Sequence, residues 1–127
     1  MENIHIPRSL ANPDKPEVKF DADTGVCEIT GESYMESTNT FYLPLINWLE
    51  EFMNQKGEKV TLNIKLVYFN TSATKCLLDI LELLKKYQDE GGEVEINWFF
   101  DKEDPDMVHE VEDFEIESGI DINLKEF

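Results

Sequence analysis

Four small hydroxyl or amide residues, Asn70, Thr71, Ser72 and Thr74, crowd the point where an apolar strand pattern hands over to an amphipathic helix pattern. Backbone N–H groups in the first turn of a helix lack intrahelical partners, and the helix dipole places partial positive charge there. A side-chain oxygen is stabilised in that position, and a phosphate more so. Two chemistries follow. One is plain N-capping, for which Thr71 or Ser72 is placed. The other is modification of an exposed hydroxyl, which adds about −1.5 to −2 charge and strong acceptor oxygens. Leu78, on a flank of the same helix, reads either as core or as part of a surface docking over that helix end.

Other chemistries find little material. His5 and His109 have no ligand partner at metal spacing, and Cys27 and Cys76 are far apart and read as small buried hydrophobes. No Ser/His/Asp or Cys/His set, no GxGxxG and no GxxxxGK[ST] is present. Asp21-Ala22-Asp23-Thr24-Gly25 hints at a calcium loop, but it lacks the remaining spaced ligands and reads as a turn. The carboxylates read as a solvated surface. The expectation is therefore a protein that is not an enzyme and has no cofactor and no metal. Two alternatives stay open: a small-molecule or nucleotide-binding sensor using the helix start as an anion site, and an enzyme with an unrecognised site among the acidic residues.

The net charge of −17, from 11 basic and 28 acidic residues, repels nucleic acid and anionic membranes and suits a partner with a basic docking face. The N-terminus has no basic stretch followed by an apolar one, and no apolar run approaches membrane-spanning length. A reduced, cytoplasmic protein is expected. At 127 residues the chain predicts one domain over 1–127, with 1–16, which hold Pro7, Pro13 and Pro16, as an irregular arm.

The elements that must position the junction follow from periodicity. Val18–Phe20 and Val26–Thr30 read as a hairpin around the 21–25 turn, and 31–40 as a polar loop. Pro44 fits a first helical turn, followed by Leu45, Trp48, Leu49 and Phe52 at helical spacing to about Gln55. Val60, Leu62, Ile64, Leu66 and Tyr68 line one side of a long strand; the other side becomes apolar only at Val67 and Phe69. The second helix runs from about Ser72 to Asp89, a strand covers Val94 to Phe100, a short helix about Pro105 to Phe114, and Ile120, Ile122 and Leu124 close with a strand. Strands buried on both faces would be continuously apolar, whereas these mostly alternate. The fold class expected is α/β, a two-layer sandwich with a mixed sheet and helices mainly on one face.

The run Tyr68-Phe69-Asn70-Thr71-Ser72 with Lys75 resembles the SiaC family of bacterial regulatory phosphoproteins, formerly a domain of unknown function. Gly31-Glu32-Ser33-Tyr34, Phe41-Tyr42 with Pro44 and Trp48-Leu49, the strand ending at Trp98, the acidic turn before Met107 and Glu112-Asp113-Phe114 extend the resemblance from about Ile4 onward. Met35, where the family favours proline, and Ala73-Thr74, where a further small hydroxyl is expected, depart from it. The resemblance implies a STAS-like fold and a threonine switch at Thr71. It implies a dedicated protein kinase and a PP2C-type phosphatase, and an output enzyme, a diguanylate cyclase, bound and activated by the unphosphorylated form to raise cyclic di-GMP signalling in biofilm regulation. Asn70, Ser72, Lys75 and Leu78 are the residues expected to contact partners.

Overall fold

The computed structural model describes every residue from Met1 to Phe127. Six strands and three helices alternate: β1 (Ile4–Ile6), β2 (Glu17–Phe20), β3 (Val26–Ser33), α1 (Thr38–Gln55), β4 (Val60–Phe69), α2 (Thr71–Asp89), β5 (Val94–Phe100), α3 (Asp106–Ser118) and β6 (Asn123–Glu126). They form one sheet whose spatial order equals the chain order. The first three strands are antiparallel neighbours, and β3 through β6 run parallel. Three crossovers each step one strand in the same direction. Right-handed crossovers of that kind leave their helices side by side on one face, and α2 packs between α1 and α3. The expected two-layer α/β sandwich with a mixed sheet is the architecture found.

The alternating strand pattern has the consequence expected of it. Cys27, Ile29, Leu62, Ile64, Ile96 and Trp98 face the helices and are buried, while Glu28, Thr30, Asn63 and Lys65 face the open side. Both cysteines are free and buried. Burial pushes each thiol above its ordinary range, for Cys27 with help from nearby Asp21. On the open side the paired positions Asn63, Asn97 and Asn123 carry an amide chain across three parallel strands. Asn123 Nδ2 donates to Asn97 Oδ1 (3.1 Å), and Asn97 Nδ2 donates to Asn63 Oδ1 (2.9 Å). A one-residue slip would break these bonds as well as expose the core, so the parallel register is held on both faces.

Several boundaries differ from the sequence reading, among them the end of β3, which runs to Ser33 rather than Thr30. Residues 1–16 are not wholly irregular: Ile4–Ile6 pair with Val18–Phe20 as an edge strand. Helix α1 starts six residues before Pro44, which therefore lies inside it rather than in its first turn. Burial of Thr38 and Tyr42 draws that additional turn and a half onto the sheet, and packing of an apolar face outweighs local propensity. Helix α3 continues past Phe114 to Ser118, where Gly119 ends it in the left-handed conformation (φ 77°). Ile120 and Ile122, read as strand, are buried in the connection that precedes β6.

A buried polar contact ties β3 to α1. The Ser33 Oγ and Tyr42 hydroxyl are 2.8 Å apart, and both residues are fully buried. Burial pushes the Tyr42 phenol up to about 12, against a smaller opposing effect of the Ser33 bond. Ser33→Ala should destabilise the protein by about 1–3 kcal/mol, because it strands the Tyr42 hydroxyl, and Ser33→Ala with Tyr42→Phe should recover most of the loss. Urea unfolding of the two variants checks this. The raised phenol also sets an alkaline limit: its contribution to stability is complete below pH 10 and is lost as pH rises towards about 12.

Candidate functional site

Four parallel strands end on the same edge of the sheet, and crevices beyond the carboxyl ends of parallel strands are where open α/β folds place function. At that edge β4 passes into α2 through a single residue, Asn70. Asn70, not Thr71 or Ser72, is the N-cap: its backbone is extended (φ −86°, ψ 178°) and its Oδ1 accepts from the Ala73 N–H at 2.9 Å. Its other groups are committed too. The Asn70 N–H donates to the Ser33 carbonyl (3.0 Å), and its carbonyl accepts from the Thr74 N–H (3.0 Å) and the Thr74 hydroxyl (3.1 Å). One residue, through its backbone and its side chain together, thus joins the ends of β3 and β4 to the start of α2. Asn70→Ala should cost about 1 kcal/mol through the lost cap, a shift readable as a lower thermal midpoint.

With the cap supplied by Asn70, the Thr71 hydroxyl has no assigned bond. Thr71 is the first residue of α2 and is exposed, as is Ser72. The N–H groups of both lack a protein partner, and no acidic residue lies in this first turn. The site therefore presents a free hydroxyl at the positive end of a 19-residue helix. Ala73, where a hydroxyl residue was expected, is fully buried against the core, which explains the preference for a small apolar side chain. Met35 is likewise core, and its carbonyl lies 3.5 Å from Asn70 Nδ2.

Thr71, Lys75 and Leu78 recur at i, i+4 and i+7 and so share one side of α2. Lys75 is exposed and makes no ion pair. Leu78 is half-buried against the core, so its body packs while its edge stays accessible. The other neighbour of the α2 start is acidic. A cavity of about 220 Å³ is bounded by Phe69 and Thr74 on one side and by Glu110, Asp113 and Glu117 of α3 on the other. Burial, and then the charges of Asp104, Asp106 and Asp113, push the Glu110 carboxyl above the usual range.

An aromatic feature of the site is absent from the periodicity reading. Tyr68 was expected on the helix-facing side of β4 but is 53% exposed. Gly31 pairs with Leu66 and Glu32 with Tyr68, so Val67 is an extra residue on β4. The bulge inverts the side-chain alternation after Leu66. Phe69 turns to the helix side, where its ring meets Trp98 (5.8 Å) and Phe114 (5.9 Å). Tyr68 turns to the open side beside Tyr34, ring centroids 6.0 Å apart. Tyr34, Val67 and Tyr68, at 39%, 49% and 53% exposure, form an apolar patch whose last residue, Tyr68, lies three positions before Thr71. No sequence signal short of the strand register marks it.

No group of three or more His, Cys, Asp or Glu is placed to hold a metal ion. No helix is long and apolar enough to cross a membrane. Over residues 10–127 the chain matches the family model described as SiaC family regulatory phosphoprotein. An uncharacterized protein of Pseudomonas aeruginosa strain UCBPP-PA14 is 29% identical over 114 residues, which cover 90% of this chain and 88% of that protein. Among solved structures, apo-SiaC from Pseudomonas aeruginosa has a TM-score of 0.90 at 26% identity, with 98% of this chain and 99% of that one covered. The same values hold for a chain in the crystal structure of the diguanylate cyclase SiaD in complex with its activator SiaC, also from Pseudomonas aeruginosa.

Proposed function

Because the chain belongs to the SiaC family of regulatory phosphoproteins, a regulatory rather than catalytic group, we propose that it is a switch whose state is the phosphorylation of Thr71. The observation that carries this reading is the division of labour at the start of α2: Asn70 caps the helix, which leaves the Thr71 hydroxyl exposed and unbonded. A dedicated kinase adds phosphate there and a PP2C-type phosphatase removes it. The unphosphorylated form binds and activates an output diguanylate cyclase, the role that SiaC has towards SiaD in the relative of similar structure. All of 1–127 acts as one regulatory domain.

The physical basis of the switch is desolvation and charge. In the unmodified form the partner covers Tyr34, Val67 and Tyr68 and extends over Ser72, Lys75 and Leu78. Asn70 holds the helix start in register with that surface. Phosphate at Thr71 adds about −1.5 to −2 charge at the centre of the contact. The helix dipole stabilises the modified form, but the carboxylates of α3 leave Lys75 as the one nearby cation on α2 to offset it. A partner that covered the phosphate would have to strip its water, so binding weakens.

Phosphosite mass spectrometry on protein purified from its native cells tests the switch. Phosphate on Thr71 in a fraction of molecules is the expected result. A well-covered, unmodified peptide under many growth conditions would return the protein to a constitutive binding role. Co-purification with a diguanylate cyclase, lost on phosphorylation, tests the output.

A further inference from the structure

Cations are scarce in this chain, 11 against 28 carboxylates, so three of them lining a single cleft is unexpected. The ion pairs engage only Lys19, Lys59 and Lys85. Arg8, Lys15 and Lys65 make none, yet all three line one cleft of about 340 Å³ on the open side of the sheet, remote from the helix layer. The cleft lies between the segment that follows β1 and the carboxyl-terminal halves of β3 and β4, with Gly31 and Val67 among its lining and Tyr34 as an aromatic wall. Two carboxylates share it, but Glu17 is held by Lys19 at 3.4 Å, which leaves Glu32 as the one unpaired anion against three cations. Lys65 Nζ rests 4.1 Å from the centroid of the Phe127 ring, which lies outside the cleft lining, so the ammonium is not neutralised but must swing from that ring to meet a ligand in the cleft.

We propose that this cleft binds a compact, multiply charged phosphate-bearing small molecule. A forked guanidinium with two ammonium groups suits the oxygens of a phosphate or pyrophosphate. The volume falls at the small end of the range for small-molecule sites. The charge of the whole chain selects for size. At physiological salt, charges beyond about 8–10 Å are screened, so a compact anion feels the local cations. A nucleic-acid polymer would instead lie across the surrounding negative surface and be repelled.

The test is a titration of the full ¹⁵N-labelled chain with sodium pyrophosphate, followed by amide chemical shifts, with sodium chloride at matched ionic strength as control. Saturable shifts confined to Arg8, Lys15, Gly31, Glu32, Tyr34 and Lys65 are expected. Arg8→Gln and Lys65→Gln should each weaken binding on the order of tenfold, while Lys85→Gln on the helix layer should leave it unchanged. The spectra themselves report that each variant is folded. Absence of saturation, equal shifts with chloride, or affinity unaffected by both substitutions would overturn the site. Citrate binding as tightly as pyrophosphate would overturn the assignment to phosphate. None of these outcomes depends on Thr71 modification, so the cleft and the switch stand or fall separately.

Discussion

Thr71→Ala is expected to reduce phosphate incorporation by the cognate kinase to background while leaving the fold intact. Thr71 makes no side-chain bond and is exposed at the first position of α2, so the loss of its hydroxyl should change stability by less than about 0.5 kcal/mol. Thr71→Ser keeps a hydroxyl in the same position and should keep phosphorylation. Thr71→Asp places a carboxylate at the helix start, where the dipole favours it, so stability should hold or rise slightly. The same charge lies three positions after Tyr68 in the chain, and binding to the output cyclase should weaken by on the order of tenfold, about 1.4 kcal/mol. That figure is a lower bound for phosphate, which carries more charge than Asp. Radiolabel incorporation and calorimetric titration measure the two effects. Phosphate landing reproducibly on Ser72 or Thr74 in the Ala variant and in the wild type alike would move the switch residue.

Trp98→Ala is expected to have the largest effect on stability. The indole is fully buried, stacks on Phe114 (5.3 Å between centroids, 25° between planes) and takes the edge of Phe69 at 5.8 Å. Truncation of a buried Trp costs about 3–5 kcal/mol through lost burial and the cavity left behind, a large part of the stability of a typical domain. The consequence reaches the site, because Phe69 is the residue before the Asn70 cap and its ring position depends on Trp98. Trp98→Phe should cost much less. It gives up area but also removes the indole Nε1, a buried donor with no partner, and that relief offsets part of the loss. A urea midpoint for Trp98→Phe as low as that of Trp98→Ala would show that the unpartnered N–H carries no penalty.

Much of the architecture was written in periodicity. Val60, Leu62, Ile64 and Leu66 alternate as a half-buried strand must, and Ala73, Leu77, Ile80, Leu81 and Leu84 recur as a helix packed on one face must. Alternating strands joined by helices left one solution, a sheet covered on one side. The boundaries were less legible, because local chemistry is only one term. Pro44 favours a first turn, yet burial of Tyr42 extends α1 ahead of it. Three residues near the amino terminus become a strand because the exposed edge of β2 accepts Ile4 to Ile6.

At the site, residue types and spacing by themselves determined that a hydroxyl-rich helix start stands at the end of a long strand, with Thr71 and Ser72 both placed to cap it; the choice of Thr71 between them comes from the family resemblance. Tertiary structure decided which residue caps that helix and which is left free. Asn70 and Thr71 can both offer an oxygen to the first turn. Asn70 alone also meets the Ser33 carbonyl of the neighbouring strand with its backbone N–H, and that contact exists only once β3 and β4 are paired. The aromatic patch and the basic cleft belong to the same class. A single extra residue at Val67 turns Tyr68 outward, and Arg8, Lys15 and Lys65, up to 57 positions apart in the chain, meet only where the amino-terminal segment crosses the open side of the sheet. Periodicity reports which face a residue takes within its own element; a bulge or a crossing segment changes that face through contacts between elements, which no local pattern encodes.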